Sequence, residues 1–433
     1  MDVAADKGAW RRLLDSTKTV FSAPSFEVFV TLMCGWVLAP GRRTITAMIG
    51  AGDLEGRRAH DAYHRFFRCA SWTTASLWQV LVVQAVKVLC PSGSLVVDCD
   101  DTLYKKSGRK IDGAGTFRDA VRSTRSKVVY ATGLNLVVVT LRVSAPWGGM
   151  PIGVPLGVRL HRKGGPTTTE LAVEIMVELL SWLPERSFSL CCDGAYATLA
   201  GKGLPRTTVT SRMRRDAAIY EQAPPRSGKR GRPRTKGARL ATPAQLAAGL
   251  ADDAFCQVSV SWRGRTKDLL VWSRPILWYS VDKKNLVLLV VVRDPAGIMH
   301  DDFFFTTDLD AAPGAVASNY AGRWSIECVN REVKQCLGAE DPQSWKGEGP
   351  ERAASVSLWL YAAIWTWYIP TVGTARSWIP RPWYPKKATP SFLDALATLR
   401  RVLWTERITP VSSSQLLPPK ILDGLLDALA TAA

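Results

Sequence analysis

With 433 residues, 47% of them hydrophobic and 17 of them Trp, the chain can bury an ample core, which excludes a disordered or low-complexity protein. A formal net charge of +18 and a pI near 9.7 argue for a polyanionic partner, either nucleic acid or an acidic membrane surface. Nine Cys without a CxxC and only four His exclude the usual zinc spacings, and the odd cysteine count with no export signal in MDVAADKGAWRRLLD predicts a reducing cytoplasm.

Residues 1–90 read as helical: 26–37 and 76–89 are mainly apolar, with a basic connection at Gly41-Arg42-Arg43. Segment 57–68, RRAHDAYHRFFR, mixes cations with aromatics, as a DNA-facing helix would and as an ordinary solvated helix face would. The character changes at Pro91. Residues 94–97 lead into Asp98-Cys99-Asp100-Asp101-Thr102, a short strand expected to end in carboxylates. Val- and Leu-rich strands follow at 132–143 and 152–160. Residues 167–183 have helical periodicity, with a Thr run and Glu170 marking the start. Residues 187–192 form a strand closing on Asp193-Gly194, and 207–210 a fifth strand. This order predicts an α/β domain with a mixed sheet.

The next 90 residues interrupt it. The basic run RSGKRGRPRTKGAR at 226–239 carries Pro and Gly that discourage regular structure. Strand-like segments at 257–262, 268–272, 276–281 and 286–292 then predict an inserted β-rich unit. Residues 303–307 return to the sheet, and the helix bearing Glu327 follows. After Pro342 the chain is Trp-rich and helical, broken by the Pro-rich stretch 370–390; the apolar 356–369 is too short for a membrane span and reads as a buried helix.

Four polar residues within 15 positions, Tyr320, Arg323, Glu327 and Lys334, are offset by 3, 7 and 14, so a helix would place them on one face. A carboxylate flanked by a guanidinium, an ammonium and a phenol suits a site that holds a metal ion and phosphates. Taken alone, it better suits a solvated face with local ion pairs. Further carboxylates, Asp100/Asp101 and Asp193, stand at the ends of two separate strands. Phosphodiester chemistry without a covalent protein nucleophile calls for two divalent cations on carboxylates, and Mg²⁺ prefers a few carboxylates plus water and phosphate oxygens. From Lys202 to Arg239 there are 12 Lys/Arg against 2 Asp/Glu, a net +10 of the total +18. Within that run Arg230-Gly231-Arg232-Pro233 matches the core of a minor-groove AT hook; the plain alternative is a flexible basic loop on phosphates.

Together these motifs resemble those of DDE transposases of prokaryotic insertion sequences, which are built on an RNase H-like core. Tyr320, Arg323, Glu327 and Lys334 meet the Y-x2-R-x3-E-x6-K signature of one cut-and-paste subgroup, and FFFTTDLD, RWSIECVNREVKQCLG and AEDPQSW surround it in similar fashion. The run D-D-T-L-Y-K-K at 100–106 is similar to the first-aspartate motif and Cys192-Asp193-Gly194-Ala195-Tyr196 to the second. The resemblance implies an RNase H-like mixed sheet with flanking helices. Its catalytic domain would span 91–345, interrupted at 212–300 by the basic loop and β-rich insertion. A helical N-terminal domain at 1–90, in contact with DNA, and a helical region at 346–433 would flank it.

It also implies Asp100, Asp193 and Glu327 as the catalytic, metal-binding triad, with Asp101 and then Asp98 as alternatives for the first ligand. Two Mg²⁺ ions are implied, with Mn²⁺ as a substitute. Tyr320, Arg323 and Lys334 would contact phosphates near the transposon end. Arg331, one turn after Glu327, either pairs with that carboxylate or joins the phosphate contacts. Lys229, Arg230, Arg232 and Arg234 would grip DNA from the basic run. The implied activity is binding of terminal inverted repeats, metal-dependent cleavage and strand transfer into double-stranded target DNA. It would be carried out by a dimer or larger complex at the nucleoid, in the cytoplasm and with no membrane role. A metal-dependent endonuclease that does not transpose and a catalytically silent DNA-binding protein are the rivals.

Overall fold

Five helices open the chain in the computed structural model, which describes residues 8–119, 121–124, 126–225, 234–262, 264–373, 378, 380, 382–412 and 418–432. They are α1 (Ala9–Asp15), α2 (Ala23–Leu38), α3 (Ile45–Gly52), α4 (His60–Cys69) and α5 (Thr74–Leu89). Strands β1 (Leu95–Lys105), β2 (Gly115–Arg118), β3 (Tyr130–Val143) and β4 (Ile152–His161) precede α6 (Thr168–Trp182), β5 (Phe188–Cys192) and β6 (Thr207–Arg212). Then come α7 (Pro243–Ala248), β7 (Cys256–Trp262), β8 (Arg265–Ile276), β9 (Val287–Arg293) and β10 (Asp302–Thr306). Five helices close the chain: α8 (Pro313–Gly322), α9 (Trp324–Leu337), α10 (Gly349–Val372), α11 (Phe392–Ser412) and α12 (Pro419–Thr431). The start of α6 is the one its sequence predicts, a capping box in which Thr167 and Glu170 satisfy each other's backbone N–H groups.

All ten strands share one sheet in the order β2-β3-β1-β5-β6-β10-β9-β8-β7, with β4 on the free side of β3. β1, β5 and β6 run parallel at its centre and the remaining pairs are antiparallel. This is the mixed sheet of an RNase H-like fold with helical flanks. The insertion does not stand apart as a unit: β10 bridges β6 to β9, so β7–β9 lengthen the central sheet. The reason is visible in β9, where Val287, Leu289 and Val291 enter one apolar cluster and Leu288, Val290 and Val292 another. A strand buried on both faces needs layers above and below it, as a central strand has. Residues 276–281 are not a separate strand. β8 ends at Ile276, and the chain turns on the Trp278 carbonyl, which accepts from the N–H groups of Val281 and Asp282.

The carboxylates of β1 also lie differently from the expected strand end. Pairing with β5 stops at Cys99 opposite Cys192, while pairing with β3 continues to Lys105 opposite Gly133. Asp100 therefore sits inside β1, at the step where its parallel neighbour leaves.

One apolar core joins the N-terminal helices, the sheet, and helices α6, α9, α10 and α11. In segment 57–68 the aromatics Tyr63, Phe66 and Phe67 belong to this core, and Arg57, Arg58 and Arg65 pair with Glu55, Glu27 and Asp61. Helix α10 is apolar all round and buried all round, which accounts for Trp359, Trp365 and Trp367. Among the described residues no helix is long and apolar enough to cross a membrane, and all nine cysteines are free.

Candidate active site

The four-residue stripe does not lie on one continuous helix. α8 ends at Gly322 and α9 begins at Trp324, with Arg323 in αR conformation as the joint. Two i to i+3 hydrogen bonds tighten it, Arg323 N–H to Tyr320 O and Ile326 N–H to Arg323 O, each 3.1 Å. This turn aims the Arg323 side chain at the sheet. Its Nη1 donates to Asp100 Oδ2 at 2.8 Å and its Nη2 to Glu327 Oε1 at 2.8 Å. One guanidinium thus bridges a strand carboxylate and a helix carboxylate, while its Nε–H is buried without an acceptor. Burial, opposed by Arg323 and reinforced by the like charges of Asp193 and Asp101, pushes the Asp100 carboxyl up to about 7. Asp193 stands one residue past the last β1–β5 pair and caps the 3₁₀ segment Gly194–Lys202, accepting from Ala195 N–H at 2.8 Å. Tyr320 packs on Phe304 with ring centroids 4.4 Å apart, and the Arg323 guanidinium lies 5.7 Å over its ring.

The other two aspartates of β1 differ in kind. Asp101 projects to the opposite side of the strand from Asp100 and accepts from Tyr196 Oη at 3.2 Å. Asp98, on the Asp100 side, is wholly buried with both oxygens engaged: Arg142 binds both, and Ser325 Oγ donates to Oδ2 at 2.9 Å. Arg142 Nη1 continues to Asn319 Oδ1 at 2.8 Å, and Asn319 Nδ2 to Ser189 Oγ at 3.2 Å. Because Asn319 belongs to α8 and Ser325 to α9, this buried network pins both sides of the Arg323 joint to the sheet. Sequence reading missed Arg142, although a lone cation in the Val- and Leu-rich β3 signals a buried anionic partner.

Farther along α9, Lys334 lies 5.5 Å over the Tyr104 ring, and burial lowers its pKa. Seven residues separate it from Glu327, about 10 Å of helix. Arg331 is exposed and forms no ion pair with Glu327, whose carboxylate turns back to Arg323. In the basic run Arg234 is exposed, whereas Lys229, Arg230 and Arg232 lie outside the described residues.

The donor chemistry here suits a divalent cation. Asp100, Asp193 and Glu327 offer hard oxygens from three adjoining elements, and two of them already converge on a cationic group, Arg323. Among the described residues no three His, Cys, Asp or Glu side chains close on a single point, and the Arg323 guanidinium stands between Asp100 and Glu327.

The chain matches the family described as DDE superfamily endonuclease over residues 21–268, more than half its length, and belongs to it. Endonucleases of this superfamily act on DNA with divalent metal ions. The matched span holds Asp100 and Asp193 and ends before Glu327. No curated protein matches the chain.

Proposed function

We propose that this endonuclease is a transposase, which cuts DNA at the ends of a mobile element and joins the freed 3′-OH to target DNA. The observation that carries the reading is the meeting of Asp100 and Glu327, 227 positions apart, on one cationic group beside Asp193. Asp100, Asp193 and Glu327 would hold Mg²⁺ or Mn²⁺, which when bound activates the attacking oxygen and stabilises the leaving one. Arg323 then has a second task. Its orphan Nε–H and planar fork suit a phosphate oxygen of the DNA, which would draw the guanidinium off the carboxylates. Lys334 adds a mobile positive charge farther down the same helix, and Tyr320 supports Arg323 from behind. Asp98 acts as a strut for the joint and Asp101 as an outward neighbour, leaving Asp100 as the first ligand.

In this reading residues 91–345 form the catalytic domain, with 1–90 and 346–433 as its helical flanks and 212–300 as an insertion that brings basic charge to DNA. Pairing of two ends requires at least a dimer in the working complex. The test is cleavage and strand transfer on DNA bearing the element's ends, located by sequencing the flanks of the gene for inverted repeats. The expected result is Mg²⁺- or Mn²⁺-dependent strand-transfer product that Glu327→Gln abolishes. Cleavage without any joined product would reduce the reading to a non-transposing endonuclease, and full activity of Glu327→Gln would overturn the site.

A further inference from the structure

A second concentration of positive charge lies between β1 and β3, outside the basic run of the insertion. Residues 105–130 carry eight Lys/Arg against two Asp. Both aspartates are already engaged by the protein itself. Asp112 accepts from Gly347 N–H at 2.5 Å; Asp119, itself buried, takes Lys105 Nζ at 2.9 Å and Arg122 N–H at 3.2 Å. Five of the cations stay on the surface instead. Arg109, Lys110, Arg118, Arg122 and Lys127 are exposed and form no ion pair among the described residues. Lys163, after β4, joins them over the Phe117 ring at 5.6 Å.

The β2–β3 hairpin, which carries Arg118, Arg122 and Lys127, lies at one end of the sheet, where β2 pairs only with β3. Val121 is 94% exposed at its tip, and Tyr130, opposite Arg118 in the ladder, is 65% exposed. An unbalanced cationic surface of this kind gains little from the protein around it and much from an ordered polyanion. Its place relative to the candidate site is set by β1. Lys105 is five residues beyond Asp100 on the same strand and is paired through β3 with the base of the hairpin at Gly133, which also faces Gly115. Five strand residues span about 17 Å, and that is roughly five base pairs of duplex rise.

We propose that the β2–β3 hairpin is a duplex-binding arm, whose cations grip DNA phosphates about half a helical turn or more from the phosphate being cut. The choice of duplex DNA over an anionic membrane rests on the endonuclease reading of the neighbouring site. The arm supplies affinity that follows charge and ionic strength and not base sequence.

The test is fluorescence anisotropy with a duplex of arbitrary sequence, in EDTA, across a salt series. Without metal no cleavage enters, so the result is independent of whether Glu327→Gln stops cutting. Arg118→Gln/Arg122→Gln/Lys127→Gln should lower the log–log salt slope by about 2–3 and weaken binding roughly 10- to 100-fold at 150 mM salt. The charge-conserving Arg118→Lys/Arg122→Lys/Lys127→Arg should keep the wild-type slope. Lys87→Gln/Lys283→Gln/Lys284→Gln, exposed lysines elsewhere with the same change in net charge, sets the background. A Gln triple no different from that background overturns the proposal. So does an equal loss in the charge-conserving triple, or, with phosphatidylserine vesicles titrated in parallel, a loss seen on the vesicles and not on the duplex.

Discussion

Asp98 and Asp100 occupy the same face of β1 two residues apart, each bound to an arginine from another element, yet the two pairs are finished differently. Around Asp98 both oxygens are used, and Ser325 and Asn319 complete the shell. Around Asp100 the arginine is shared with Glu327 and keeps a buried Nε–H with nothing to bond, while burial and the like charges of Asp193 and Asp101 raise the proton affinity of Asp100 itself. A fully satisfied buried ion pair can only be broken at a loss, so it fixes geometry. An incompletely satisfied one invites exchange, because a new cation and a new anion can each offer what is missing.

The sharpest way to break this contrast is to neutralise each aspartate and compare activity with stability. Asp100→Asn or Glu327→Gln should cut DNA cleavage by ~10³-fold or more, equivalent to several kcal/mol of transition-state stabilisation, with the unfolding midpoint little changed. Asp98→Asn should show the reverse emphasis. Leaving Arg142 buried against a neutral amide should cost about 3–5 kcal/mol of folding stability in urea titration, whereas Asp98→Leu/Arg142→Met should recover much of that loss. Ser325→Ala removes one charge-assisted bond to Asp98, and about 2 kcal/mol of stability should go with it. The smallest effect belongs to Arg323→Gln. In EDTA it should lower stability by about 1–2 kcal/mol, and Mg²⁺ or Mn²⁺ should raise its melting temperature more than that of the wild type. Equal responses to the cation in both proteins would mean that Arg323 does not stand where the ion binds.

Several features of the fold were legible because they are local: the Thr167/Glu170 helix start and the apolar strands each depend on neighbours in sequence. The break at Arg323 was not read: Gly322 is an ordinary helix-stop residue, but the helix resumes at once at Trp324 and the joint is held by the distant Asp98–Arg142 network. The length of β1 was missed for a similar reason: β3 sustains Asp101–Lys105 after β5 has left. The separation of Asp98, Asp100 and Asp101 into strut, bridge and outward side chain depends on what each one faces. Alternation along the strand distinguishes Asp101 but cannot rank the other two.

The C-terminal end of α9 is held by residues made at very different times. The Trp36 indole donates to the Leu337 carbonyl at 2.7 Å, and Tyr361 Oη, on α10, donates to Glu332 at 2.6 Å. The first of these partners has left the ribosome long before α9 exists, whereas the second is synthesised after it. A nascent chain stopped short of residue 349 would possess every acidic residue of the candidate centre but lack the buried helix that α9 packs against. The packing that holds the candidate centre is thus completed late in synthesis, after the basic surfaces have already emerged.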